Sequence, residues 1–137
     1  MARVRHIAIA TDDPEATARF YKEGLGLTEA GRVDSPLAQG YYLTDGYVNI
    51  AILKFTTDAA ATTEGRPRHT GVHHIGFGVD DMSQAVDRIV MAGAVPHHEE
   101  QVRDAVTGRS GNVEVKFHGP DGVTLDLSAH GWVGATG

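Results

Sequence analysis

Two stretches of the chain alternate large and small side chains with a period of two, His6-Ile7-Ala8-Ile9-Ala10 and His74-Ile75-Gly76-Phe77-Gly78. That period marks a strand with two unlike faces. Each stretch soon reaches an Asp-Asp pair, Asp12-Asp13 and Asp80-Asp81, able to cap a helix, and then a segment with helical spacing. The first helix is predicted over residues 14–23, with Pro14 in a tolerated first-turn position and Gly24 or Gly26 ending it. The second is predicted over residues 82–92, with Met82, Ala85, Val86, Ile89 and Val90 on one face and Gly93 at its end.

Further strand-like segments follow each helix: residues 27–33, 39–43 and 47–55 in the first half, and 95–102, 112–118 and 123–128 in the second. Asp45-Gly46 and Asp121-Gly122 stand at matching turns. The histidine, the alternation, the Asp pair, the helix and the Asp-Gly turn recur in one order, which identifies a duplicated module. The reading is an α+β chain of two βαβββ modules in one domain, residues 1–137. Module 1 covers about 4–55 and module 2 about 72–130, with an exposed linker at 56–71 and a loose tail at 131–137.

Strand geometry then sorts the residues by face. His6 shares a face with Ala8 and Ala10, and His74 with Gly76 and Gly78. The bulky residues opposite them are expected to pack on the helices. A row of Ala and Gly beside two equivalent histidines leaves room for a ligand, and makes His6 and His74 candidate metal ligands. Asp126 is the third candidate, because Leu125 and Leu127 turn away from it and a carboxylate in an apolar strand is costly unless paired or metal-bound. Its counterpart in module 1 is Ala51, which with Asn49 and Tyr42 is assigned to substrate contact; Tyr41 and Phe117 are further candidates for the cavity wall. Lys116 is expected to be exposed, whereas His118 on the same face is the candidate catalytic residue. His73 is assigned to the opposite face, His97 and His98 to a solvated loop, and His69 and His130 to flexible regions.

Composition narrows the partners. A formal net charge of −6 argues against nucleic acid, which needs Lys and Arg to neutralise phosphates. No apolar run is long enough to span a bilayer, so no membrane partner is expected. The chain has no cysteine, hence no disulfide and no thiolate ligand, which fits a cytoplasmic protein. A small-molecule substrate remains.

The duplicated strands, Phe20-Tyr21-Lys22-Glu23-Gly24-Leu25-Gly26-Leu27 and Gly119-Pro120-Asp121-Gly122 together resemble the vicinal-oxygen-chelate superfamily of glyoxalases, bleomycin-resistance proteins and extradiol dioxygenases, over about residues 4–130. The resemblance implies an open, curved, barrel-like sheet around one cavity, a homodimer, and ligand positions at His6, Ala51, His74 and Asp126. Ala51 removes one of the two carboxylates that proton-moving members use. Two histidines and one carboxylate are also the ligand set of non-haem Fe(II) oxygenases. The expected function is therefore ring-cleaving dioxygenase-like chemistry with Fe(II), or else Mn(II) or Zn(II), on a substrate chelated through two oxygens. The alternatives are a metal-free drug-binding protein of the bleomycin-resistance kind and a glyoxalase- or epimerase-like lyase or isomerase.

Overall fold

The computed structural model describes residues 1–108 and 114–135. Module 1 runs β1 (Arg3–Ala10), α1 (Pro14–Leu25), β2 (Thr28–Asp34), β3 (Ala38–Thr44) and β4 (Asn49–Phe55). A short helix, α2 (Asp58–Thr63), leads to module 2: β5 (Gly71–Gly78), α3 (Met82–Met91), β6 (Val95–Pro96), α4 (Glu99–Thr107), β7 (Val115–His118) and β8 (Thr124–Ser128). The Asp pairs act as the sequence suggests. Asp13 accepts from the Ala16 amide at 3.1 Å and Asp81 from the Gln84 amide at 2.9 Å, supplying acceptors for amides that a helix start leaves unpaired.

All eight strands form one mixed, open, curved sheet in the order β2-β3-β4-β1-β5-β8-β7-β6. The first strands of the two modules, β1 and β5, meet antiparallel at its centre, while β4 and β8 run parallel to β1 and β5. Ala8 pairs with Ala51 and Gly76 with Asp126, each two residues beyond the module's histidine. Ala51 and Asp126 are therefore equivalent positions. Across the centre, His6 pairs with Gly76 and Ala8 with His74, so the two histidines are diagonal neighbours within side-chain reach.

The face away from the histidines packs as expected. Val79, Val86, Val102, Val115, Phe117 and Leu127 make one core under α3 and α4, and Ala18, Tyr41, Leu43 and Ile52 another under α1. Phe117 and Tyr41 thus belong to these cores, with the Tyr41 hydroxyl donating to Glu15, and neither lines the histidine face.

Three expectations are corrected. Residues 56–71 are largely exposed but not featureless: within them α2 buries Ala60 and Ala61 against Ala8, Ala51, Leu53 and Phe55 on the histidine face. Residues 95–102 are not one strand, since α4 begins at Glu99. Acidic residues in its first turn, Val102 and Ala105 one turn apart, and left-handed Gly108 at its end all favour helix. Residues 131–135 are not loose, because the Thr44 hydroxyl donates to the Gly134 carbonyl at 2.7 Å and the Asn49 amide to that of Val133 at 2.7 Å. Residues 112 and 113 of the predicted seventh strand, and 136 and 137 of the tail, lie outside the described residues. No helix among the described residues is long and apolar enough to cross a membrane.

Candidate functional site

The two central strands bring His6 and His74 together, with their Nε2 atoms 3.1 Å apart and both rings buried. Asp126, fully buried on β8, places Oδ2 3.4 Å from His74 Nε2. The three predicted ligands thus form a compact cluster, one donor atom of each lying within 4.8 Å of the others.

Their neighbours decide where the protons sit. Asn49 Nδ2 donates to the Val133 carbonyl, which turns Asn49 Oδ1 toward His6 Nδ1 at 2.7 Å. A carbonyl oxygen only accepts, so His6 carries its proton on Nδ1 and presents a lone pair on Nε2. His74 Nδ1 faces His73 Nδ1 at 2.8 Å, while His73 Nε2 lies 3.0 Å from the Arg66 carbonyl. Burial pushes the His73 imidazolium down to about 4, and burial lowers both His74 and His6 as well, so all three rings are neutral at physiological pH.

His73 was assigned to the opposite face, and the register shows why that fails. Ala8 pairs with His74 but Ile9 with Val72, which leaves His73 as the extra residue of a β-bulge. A bulge breaks strict alternation and re-aims the side chain.

The Nε2 atoms of the two histidines face each other at 3.1 Å, close enough for one cation to be held by both. The two separations that involve His74 suit one cation. Donors about 2.1 Å from a first-row divalent ion are separated by about 3.0 Å in octahedral and about 3.4 Å in tetrahedral arrangement, against the observed 3.1 Å and 3.4 Å. The charges point the same way. Lys116 Nζ lies 2.9 Å from both Asp126 oxygens, 3.1 Å from Glu64 Oε2 and 3.8 Å from Glu114 Oε2. Three carboxylates thus share one ammonium. Burial, reinforced by Glu114 and only partly opposed by Lys116, pushes the Asp126 carboxyl up to about 8. Burial would pull the Lys116 ammonium down, but Asp126, Glu64 and Glu114 outweigh it and hold the group above its ordinary value. The donor set and the charge both fit a divalent metal.

Lys116 is therefore not exposed, as the sequence reading had it, but 5 % accessible within the site. A cavity of about 170 Å³ opens beside the cluster, walled by Val33, Leu37, Leu53 and Phe55 on one side and by Glu64, Glu114 and Trp132 elsewhere. Tyr42 and Ala51 also line it. Asn49 does not, since both ends of its amide are engaged behind His6. Nor does His118 reach it. His118 Nε2 is 2.8 Å from His97 Nδ1, and His97 and His98 reach the carbonyls of Thr62 and Thr63 at 2.7 Å and 3.0 Å rather than lying free in a solvated loop. His69 Nε2 likewise lies 2.9 Å from the Val72 carbonyl. A larger hollow of about 650 Å³ lies under α3, but no histidine is in its walls. His6 and His74 line the smaller cavity.

Sequence reasoning missed His73, Glu64, Glu114 and Trp132. Glu64 sits in the presumed linker and Trp132 in the presumed tail, where composition gave no signal. Trp132 stacks on His6, with ring centroids 5.0 Å apart and planes 3° from parallel. Its indole nitrogen is the one buried side-chain N or O atom without a hydrogen-bond partner among the described residues.

The profile of the Glyoxalase/Bleomycin resistance protein/Dioxygenase superfamily matches residues 3–127. The ethylmalonyl-CoA/methylmalonyl-CoA epimerase of Cereibacter sphaeroides is 30 % identical over 102 residues, which cover 69 % of this chain and 73 % of that protein. Among solved structures, the methylmalonyl-CoA epimerase of Streptomyces coelicolor in complex with 2-nitronate-propionyl-CoA superposes with a TM-score of 0.68 at 21 % identity, covering 92 % of this chain and 95 % of the other. The methylmalonyl-CoA epimerase of Mycobacterium tuberculosis gives 0.62 at 16 % identity, covering 91 % and 85 %. At these identities the two structures speak to the fold.

Proposed function

The chain belongs to the Glyoxalase/Bleomycin resistance protein/Dioxygenase superfamily, and within it we propose that the protein is a metal-dependent enzyme moving a proton at a carbon beside a carbonyl, as an epimerase or isomerase does. One observation carries this reading: His6 and His74 turn their Nε2 atoms toward each other next to Asp126, beside a cavity that Glu64 and Glu114 also line.

His6, His74 and Asp126 would hold the ion. When bound there, a divalent metal supplies a Lewis acid that stabilises negative charge on substrate oxygens. Glu64 and Glu114 are the acid–base candidates, with Lys116 holding Glu64 in place at 3.1 Å. Trp132 walls the cavity, and its buried indole N–H has no protein partner among the described residues. Val33, Leu37, Leu53 and Phe55 offer an apolar seat for a short alkyl group. The substrate class is a small acyl compound chelated through two oxygens, with the 2-alkylmalonyl thioesters named for the relative as the first to test.

The ring-cleaving expectation leaned on the absence of paired carboxylates, and Glu64 and Glu114 remove that ground. The preference for Fe(II) loses its reason with it, since proton transfer needs no redox change and Mn(II) or Zn(II) would serve. The test is to incubate metal-reconstituted protein with methylmalonyl-CoA in D2O, following deuterium at C2 by mass spectrometry and dissolved oxygen by electrode. Exchange without oxygen uptake is expected, reduced at least about 100-fold in Glu64→Gln or Glu114→Gln. Oxygen uptake with catechols, or binding without exchange, would overturn the assignment in favour of the dioxygenase or the drug-binding alternative.

A further inference from the structure

The segment joining the modules is tied to module 2 through its backbone. Thr62 O and Thr63 O accept from His97 and His98, Gly65 O accepts from the Thr124 hydroxyl at 3.0 Å, and Arg66 O accepts from His73 at 3.0 Å. At Gly65 the chain comes so near β8 that a Cβ there would lie 2.2 Å from Thr124 Cγ2, and its φ of 130° suits only glycine. Three of these four bonds do not involve His73, so the Arg66 carbonyl is held in place independently of it.

We infer that His73 is a positioning residue that sets which nitrogen of His74 faces the cavity, acting as a relay from the Arg66 carbonyl. The carbonyl accepts only, so His73 donates from Nε2; its Nδ1 then accepts from His74 Nδ1; the lone pair of His74 is left on Nε2, toward His6. A free neutral imidazole in water favours the opposite tautomer, so the relay changes the outcome rather than confirming a default. His73 is fitted for the task. It is 1 % exposed, bulged out of the ladder, and packed 4.7 Å from the Phe55 ring. The inference rests on the proposed metal site at His74, and its first readout needs no metal.

The test is to measure imidazole 15N shifts of the metal-free protein in long-range 1H–15N spectra. In the native protein His74 is expected to carry its proton on Nδ1. His73→Phe is expected to move the proton toward Nε2. In His73→Asn an oxygen stands near the place of Nδ1, and the native tautomer is expected to return. His73→Gln reaches toward Arg66 but offers no acceptor beside His74, and should resemble the Phe variant. Mn(II) and Zn(II) titrations should show about 10–100-fold weaker binding in Phe and Gln, with recovery in Asn. A native His74 protonated on Nε2, or a tautomer that ignores all three variants, overturns the relay. If the tautomer follows the variants while no form binds metal, the relay stands and the metal assignment falls. Should His73→Phe lose its dispersed spectrum, the Asn and Gln forms carry the same comparison.

Discussion

A Cβ added at Gly76 would lie 2.7 Å from Trp132 Cζ2 and 2.8 Å from His6 Cβ. The sequence marks Gly76 as space for a ligand beside a candidate metal ligand. The space is there, but the indole of Trp132 occupies it, drawn from a segment whose sequence carries no sign of order. Gly76→Ala is expected to push Trp132 off His6 at a cost of about 1–3 kcal/mol, as overpacking does. Trp132 is the sole tryptophan, so a red shift and quenching change in emission would report its displacement directly; unchanged emission would refute the packing. Lys116 makes a second case. Its removal in Lys116→Met leaves Asp126, Glu64 and Glu114 without their shared cation. The metal-free protein should lose about 1–3 kcal/mol, the usual cost of leaving a buried carboxyl without its donor, while divalent affinity should rise. Calorimetric titration checks this, and unchanged affinity would mean that Lys116 and the ion do not compete for these carboxylates.

Elements whose reasons are local were legible. The capping residues Asp13 and Asp81, the alternation of β1 and β5, and Gly26 at the end of α1 are signals within a few residues. The Asp45-Gly46 turn is another: Asp45 Oδ1 accepts the amides of Tyr47 and Val48, both at 2.8 Å, and these bonds hold its carboxyl below the ordinary value. A lowered native value stabilises the fold above the unfolded value of about 3.9, and that gain vanishes as pH falls through the native one. Asp45→Ala should therefore cost stability at pH 7, by less than about 1 kcal/mol because the group is in water, and less near pH 2. Urea unfolding at the two pH values is the check, and equal penalties would break the link to ionisation. Elements whose reasons are tertiary were not legible. The apolar face of α2 is only Ala60 and Ala61, too small to read as amphipathic, yet it closes one side of the histidine face. Residues 131–135 are ordered by acceptors they offer to Asn49 and Thr44, which no local pattern encodes. A chain ending after His130 is expected to bind metal at least about 10-fold more weakly, since Asn49 loses its anchor and His6 its fixed tautomer.

At the scale of the molecule, the duplication explains both the site and the way it is closed. The segment after module 1 offers Arg66 O, which acts on His74 of module 2; the segment after module 2 offers Val133 O, which acts through Asn49 on His6 of module 1. Each histidine is thus oriented by chain that follows the other module. The repeat made the positions of His6, His74 and Asp126 readable, because equivalent residues fall at equivalent registers. It did not make their supports readable, because those come from the two segments outside the repeat. A metal bound at this centre would join β1, β5 and β8, and through the two relays would reach both segments. Binding should then stabilise the whole chain in one transition. With metal at about 100 times its Kd, the gain is about 2.7 kcal/mol, or about 10 °C in melting temperature for a chain of this size. Calorimetric scans with and without chelator would show it, and His74→Ala should abolish the difference. Two separate transitions, only one of them moved by metal, would mean that the modules melt independently and that the crossed relays do not couple them.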